Sequence, residues 1–313
     1  MSLLAYADTK GVNEILEEMI KGKRDAKNLV ITGIPGTGKT HAVVRFLEEN
    51  KEIGGYRFVQ FHPSYDYEDF IEGLKPFPDN NNLTFKLVPG IFKELCREAI
   101  KDKNKKYVMV IDEINRANLS RVFGELLYCL EYRGKPVDTK MTGYIKGLSD
   151  EDEQKKHTVD HNNENSGRFE IPENVLVIGT MNDVDRSVDA FDLALRRRFV
   201  WEEVDFDRFQ LAVYDKFFER KMGIENIFAL IEKAEKLNEK IEEKMGKNFR
   251  VGHTYFFKVA DYLKNKDYFD SALEDLWRFH LHSLLKEYLK MHYDESEIDE
   301  ELKEFEKIVV GDK

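Results

Sequence analysis

The segment Gly33-Ile34-Pro35-Gly36-Thr37-Gly38-Lys39-Thr40 follows directly on the apolar run Asn28-Leu29-Val30-Ile31-Thr32. Strand, glycine-rich loop and helix in that order make a phosphate cradle, because only glycines let successive backbone N–H groups turn inward around an anion. In the pattern Gly-x4-Gly-Lys-[Ser/Thr], Gly33, Gly36 and Gly38 shape the loop together with Pro35 and Thr37. Lys39 supplies a point charge for the β- and γ-phosphates, and Thr40 a hydroxyl for Mg²⁺. His41 stands next in the expected nucleotide contact, on a helix whose apolar positions are Val43, Val44, Phe46 and Leu47.

A chain of 313 residues exceeds what one hydrophobic core usually supports, so a larger unit and a smaller one are expected. Hydrophobic content of 42%, with 22 Phe and 14 Tyr, is ample for both. No apolar run approaches the roughly 18 residues that a membrane span needs. The sequence opens without a basic segment leading into an apolar one, and Cys96 and Cys129 each fall in a helical pattern. A cytoplasmic protein with buried thiols, and no membrane partner, is the expectation. The net charge of −11 argues against a surface that binds nucleic acid everywhere, but it leaves room for a local basic stripe.

Helical spacing over residues 10–22 is followed by the strands Asn28–Thr32, Tyr56–Phe61, Tyr107–Ile111, Asn174–Gly179 and Phe199–Val204. Between them lie helical patterns at Gly90–Ile100, Leu119–Tyr132 and Ala190–Arg197. Pro63 stops the second strand, and Ser64 is a candidate cap for the segment after it. This alternation predicts an α/β core with a doubly wound parallel sheet over residues 1–206. It carries a polar insert at 133–172, long for a connection inside a compact domain. Over 207–313 only helical periodicity recurs, at Phe209–Met222, Ile227–Met245, Thr254–Leu263 and Tyr268–Leu289, which predicts a smaller all-helical lid domain.

Val108-Met109-Val110-Ile111-Asp112-Glu113 sets two carboxylates at the end of a buried strand, where open α/β sheets hold their ligands. Asp112 is the candidate to hold Mg²⁺, and Glu113 the candidate to orient the attacking water or take its proton. Acid pairs at strand ends also cap helices; it is the nearby Lys39-Thr40 that favours catalysis. The next strand ends in Gly179-Thr180-Met181-Asn182-Asp183-Val184-Asp185. There the Asn182 amide could polarise a water without competing for its proton. The alternative is a turn in which Asp185 caps the next helix. Arg196, Arg197 and Arg198 stack three guanidinium groups at a helix end, more than capping needs. An arginine acting on a neighbouring subunit's γ-phosphate accelerates hydrolysis by roughly 10³ to 10⁵.

Together these elements resemble the AAA+ superfamily. Phe61-His62-Pro63-Ser64-Tyr65-x-Tyr67-Glu68-Asp69-Phe70, Ile111-Asp112-Glu113-Ile114-Asn115-Arg116-Ala117-Asn118, Met181-Asn182-Asp183-Val184-Asp185-Arg186-Ser187 and Arg250-Val251-Gly252-His253-Thr254-Tyr255-Phe256 narrow the likeness to the McrB family of AAA+ motors, over about residues 10–290. The resemblance implies GTP with Mg²⁺ as cofactors and a homo-oligomer in the form of a hexameric ring. It also implies a McrC-like nuclease subunit that stimulates hydrolysis, and DNA moved through the assembled complex. Carried onto this sequence, it assigns Gly33, Gly36, Gly38, Lys39 and Thr40 to phosphate and metal, Asp112 and Glu113 to the acid pair, and Asn182 with Asp185 to a signature loop. Arg250 or His253 would sense the nucleotide from the lid, although capping or packing accounts for Gly252-His253-Thr254 equally well. Asn115 and Arg116 would face the stimulating partner or a neighbouring copy. Recognition of a modified base is not expected from these residues. A MoxR-like ATPase that remodels protein complexes fits the same core motifs; a non-hydrolysing switch fits the intact acid pair and the arginines less well.

His157 and His161 have helical metal-ligand spacing but lack a zincin glutamate. Lys140, Lys146, Lys155, Lys156 and Arg168 of the insert suit a pore that touches DNA phosphates as well as they suit a solvated loop. Trp201 and Trp277 read as core.

Overall fold

A computed structural model describes residues 10–79, 82–141, 168–184, 193–208, 223–263 and 268–311. In chain order the first elements are α1 (Lys10–Ile20), β1 (Asn28–Gly33), α2 (Lys39–Glu49), β2 (Ile53–Gln60), α3 (Tyr67–Phe70), β3 (Glu72–Asp79) and β4 (Asn82–Pro89). They are followed by α4 (Ile91–Lys101), β5 (Lys106–Asp112), α5 (Leu119–Phe123), α6 (Leu126–Glu131), β6 (Val137–Asp138) and β7 (Arg168–Phe169). The sequence closes with β8 (Val175–Thr180), α7 (Leu193–Arg196) and β9 (Val200–Val204), then the helices α8 (Ile224–Met245), α9 (His253–Phe256), α10 (Val259–Leu263), α11 (Phe269–Leu276), α12 (His282–Leu289) and α13 (Glu295–Val309).

Five strands form one sheet in the order β2-β5-β8-β1-β9, and every neighbouring pair is parallel. Apolar residues of the central strands alternate between its two faces, as a period of two demands. Val30, Met109, Ile111, Val175 and Val177 pack with α4, α5 and α6. Leu29, Ile31, Val108, Val110, Leu176 and Ile178 pack with α1 and α2. Each such side chain, fully buried, contributes roughly 1.5–3 kcal/mol. Helices on both faces of a parallel sheet are the expected doubly wound core. A separate apolar cluster joins α8 through α13 to Val184 and Phe206, so the expected helical lid is present.

Several local expectations change. The pattern predicted as one helix over Leu119–Tyr132 is two, because Gly124 adopts φ 51° and breaks it. The predicted helix Tyr268–Leu289 contains a π-helical turn at Trp277–Leu281, and α13 starts at an Asp294/Glu297 capping box. Asp66, not Ser64, caps the helix after β2, accepting from Glu68 N. The stretch after that helix is an antiparallel hairpin, β3 paired with β4. A buried Lys93–Glu72 ion pair at 2.6 Å ties it to α4. Helix Phe209–Met222 lies outside the described residues. Cys96 and Cys129 are buried and form no disulfide with each other. Trp277 is buried, whereas Trp201 is only partly so and lies under Arg196. No helix among the described residues is long and apolar enough to cross a membrane.

Candidate functional site

The carboxyl ends of β1, β5 and β8 lie side by side, and the polar residues that follow them converge there. Gly33 leaves β1 at φ 136°, in a place where a Cβ would stand 2.0 Å from Val204 O. Gly36 (φ 79°) and Gly38 (φ 77°) complete the turn into α2. Each is a conformation that side-chain-bearing residues rarely adopt. Thr37 is buried, with its hydroxyl donated to Ile34 O at 3.2 Å.

Lys39 is buried at the start of α2. Its ammonium donates to Gly33 O at 3.0 Å, Ile34 O at 2.9 Å and Asn182 Oδ1 at 3.0 Å. Burial pushes its pKa down to about 8, against the pull of Asp183, Glu113 and Asp112. Thr40 Oγ1 donates to Asp112 Oδ1 at 2.7 Å, and Thr180 Oγ1 donates to the same oxygen at 2.6 Å. Hydroxyl and carboxylate oxygens held this close are the donor type a hard divalent cation takes. Thr40 and Asp112 therefore fit Mg²⁺.

Glu113 is the only residue other than glycine at positive φ among those described, at 50°. Such a conformation costs of order 1–3 kcal/mol and persists where the surroundings enforce it. Here it turns the carboxylate off the strand direction, so that Glu113 Oε1 accepts Asn182 Nδ2 at 2.9 Å and Oε2 meets Arg116 Nε at 3.2 Å. The Asn182 amide thus stands between ammonium and carboxylate. Its orientation follows from chemistry, since Lys39 can only donate and Glu113 only accept. Asp183 is fixed by Thr32 Oγ1 and by its own N–H to Gly33 O at 3.3 Å.

The other predicted residues sit elsewhere. Register Leu29↔Val200 puts Arg196, Arg197 and Arg198 beside the start of β1, at the opposite edge of the sheet. A six-residue strand, about 20 Å at 3.3 Å per residue, separates them from the loop of the same chain. Arg196 lies over the Trp201 ring, while Arg197 Nη2 and Arg198 Nε stand 3.6 Å and 3.4 Å from Glu131. Asn28 binds this edge together. Its amide donates to Leu130 O and to Arg198 O at 2.8 Å, and its oxygen accepts from buried Arg133. Arg250 is held by Asp205 at 2.9 Å and by Glu242. His41 is half-buried on α2 near Arg45 and Glu48, its pKa lowered by burial. Asn115 is buried, so the expectation that it faces a partner fails for that side chain; Arg116 remains on the surface. Arg168 pairs with Asp138, and Lys140 lies over the Tyr67 ring. Asp185, Lys146, Lys155, Lys156, His157 and His161 lie outside the described residues.

Sequence reasoning missed three contributors. Thr180 shares Asp112 with Thr40, and a hydroxyl two residues before Asn182 was the available sign. Gly252 and Thr254 reach the phosphate loop from α9: Gly252 N donates to Pro35 O at 3.0 Å, Thr254 N to Gly36 O at 2.9 Å, and Thr254 Oγ1 to Gly36 O at 2.7 Å. His253 between them is fully buried, and neither ring nitrogen has a partner among the described residues. The Thr37 backbone beside the ring pulls its pKa upward, but less than burial lowers it. Burial pushes the imidazole pKa down to about 4.

Comparison with known proteins agrees with this geometry. Residues 28–199 match the AAA domain family (dynein-related subfamily), and residues 229–297 match the McrB alpha-helical lid domain. The Type IV methyl-directed restriction enzyme EcoKMcrB subunit of Escherichia coli (strain K12) is 38% identical over 251 residues, 77% of this chain and 50% of that protein. The Type II restriction enzyme BsuMI component YdiS of Bacillus subtilis (strain 168) is 26% identical over 284 residues, 79% of this chain and 77% of that protein. The chain thus spans half the length of the first relative.

Proposed function

Because this chain belongs to the AAA domain family, and is an AAA+ motor of McrB type, we propose that it is a GTP-hydrolysing subunit of a modification-dependent restriction complex. Copies of it close a hexameric ring that moves DNA and works with a McrC-like nuclease subunit. The observation that carries the reading is the Asn182 amide, hydrogen-bonded to Lys39 on one side and to Glu113 on the other.

In this reading the N–H groups of the loop around Gly36 and Gly38 surround the phosphates, and Lys39 turns its ammonium from the Gly33 and Ile34 carbonyls onto phosphate oxygens. Thr40 and Asp112 would hold Mg²⁺, which would supply fixed positive charge against the phosphates. Glu113 takes the proton of the attacking water, and Asn182 orients that water without becoming charged. Arg197, exposed and unable to reach its own loop, presents its guanidinium group to the site of a neighbouring copy, with Arg198 beside it. The division at about residue 206 then separates a core that holds the nucleotide from a lid that moves against it.

Steady-state hydrolysis of GTP and ATP, side by side over a protein dilution series, tests this. GTP preference with specific activity that falls on dilution is expected. ATP preference would shift the assignment to a remodelling ATPase, and turnover indifferent to dilution would exclude the action of arginines between subunits.

A further inference from the structure

The turn that opens α9 meets the phosphate loop backbone against backbone. A Cβ at Gly252 would stand 2.2 Å from Gly36 C and O and 2.6 Å from Pro35 O; one at Gly36 would stand 2.5 Å from the Tyr255 ring. Across this close approach run the donors from Gly252 N, Thr254 N and Thr254 Oγ1 to Pro35 O and Gly36 O. Two further contacts brace the same turn against the end of β9, Lys247 to Glu203 at 2.7 Å and Arg250 to Asp205 at 2.9 Å.

A phosphate cradle depends on peptide planes whose N–H groups face inward and whose carbonyls face out. Glycine makes such a loop possible and also leaves it free to rotate a plane the other way. A rotated plane at Gly36 would aim a carbonyl at the anion and withdraw a donor. A carbonyl already bonded on the outside resists that rotation, since turning inward forfeits its partner. His253 fills the space between the two anchoring residues as a neutral ring, so it adds no positive charge beside Lys39.

We infer that Gly252-His253-Thr254 is a clamp by which the helical lid holds the phosphate-loop peptides in their anion-binding orientation. Gly252 and Thr254 are positioning residues, and nucleotide affinity depends on the lid's grip on Pro35 and Gly36. Lid displacement withdraws all three donors together, which ties loosening of the phosphates to movement of the helices. The inference rests on the reading that this loop binds a nucleoside triphosphate.

The test is equilibrium binding of fluorescent GTP and ATP analogues to the full chain carrying Thr254→Val or Thr254→Ser. Valine keeps the shape and loses the hydroxyl, and serine keeps the hydroxyl. Thr254→Val should raise Kd about three- to tenfold for both analogues, the effect of one net hydrogen bond, and Thr254→Ser should restore it to within about twofold. Gly252→Ala, whose methyl meets backbone, should weaken binding at least about tenfold with the helical circular-dichroism signal kept. Unchanged affinity in Thr254→Val, or equal losses in the valine and serine variants, overturns the clamp while leaving nucleotide binding intact. A wild-type chain that binds neither analogue overturns the clamp and the nucleotide reading together.

Discussion

The two ends of β1 are built on opposite plans. At the carboxyl end the polar side chains are engaged inside the chain: Lys39 on two carbonyls and Asn182, Thr40 and Thr180 on Asp112, and Asn182 on Glu113. At the amino end Asn28 fixes the backbone of Arg198, but the guanidinium of the adjacent Arg197 opens outward. Arg197 keeps 66% of its side-chain surface exposed, against 14% for Arg198. One end is a polar cluster closed on itself. The other has the makings of a surface that completes something outside the chain, at a separation no side chain spans.

Three experiments test that contrast. The largest effect belongs to the outward end: Arg197→Ala with Arg198→Ala should lower turnover by about 10³-fold or more, with nucleotide affinity unchanged in a binding assay. Turnover that survives would mean these guanidinium groups serve no neighbouring site, and the contrast between the ends would lose its functional meaning. At the closed end, Glu113→Gln should cut hydrolysis by about 10²- to 10⁴-fold, the range of a single acid–base group, while retaining the nucleotide. Rapid hydrolysis in that variant would remove Glu113 from the proton path and leave Asn182 without a task.

The smallest effect is a pH dependence with two opposite signs. Burial holds Lys39 at about 8, below the 10.5 of an exposed lysine, so between those values the unfolded chain binds more protons than the folded one. Unfolding free energy should therefore rise with pH across that window. Nucleotide affinity should fall over the same window, because the ammonium that meets the phosphates is lost. Denaturant melts and Kd measured from pH 7 to 10 would display both slopes, and Lys39→Ala should flatten the stability slope. Parallel slopes of like sign would show that Lys39 is not the group that governs the closed end.

What could be read from the sequence divides along the distance over which a contact is made. Gly33 to Thr40 and Asp112-Glu113 are local spacings fixed to strand ends, and their positions follow from the chain itself. The alternation that sends Val108 and Val110 to one face and Met109 and Ile111 to the other is equally local. The hairpin of β3 and β4 was hidden because Pro76, Pro78 and Pro89 argue against strands, while its stability comes from pairing and from Lys93 on a later helix. α13 was hidden by its acidic surface; only folding shows Ile298, Leu302, Phe305 and Val309 buried on one side. Thr254 lies in the Arg250–Phe256 stretch, but nothing in that stretch shows what its hydroxyl meets. Its role depends on meeting Gly36 from the far side of the chain.

The contact between Gly36 and Gly252 also restricts how this molecule can be rearranged. Each glycine faces the other unit, and a side chain at either strikes it. A lid exchanged with that of another motor would have to bring its own glycine and its own hydroxyl to the same turn. Core and lid therefore form one matched set, and shuffling them piecewise should yield chains in which both parts fold but the joint between them does not close.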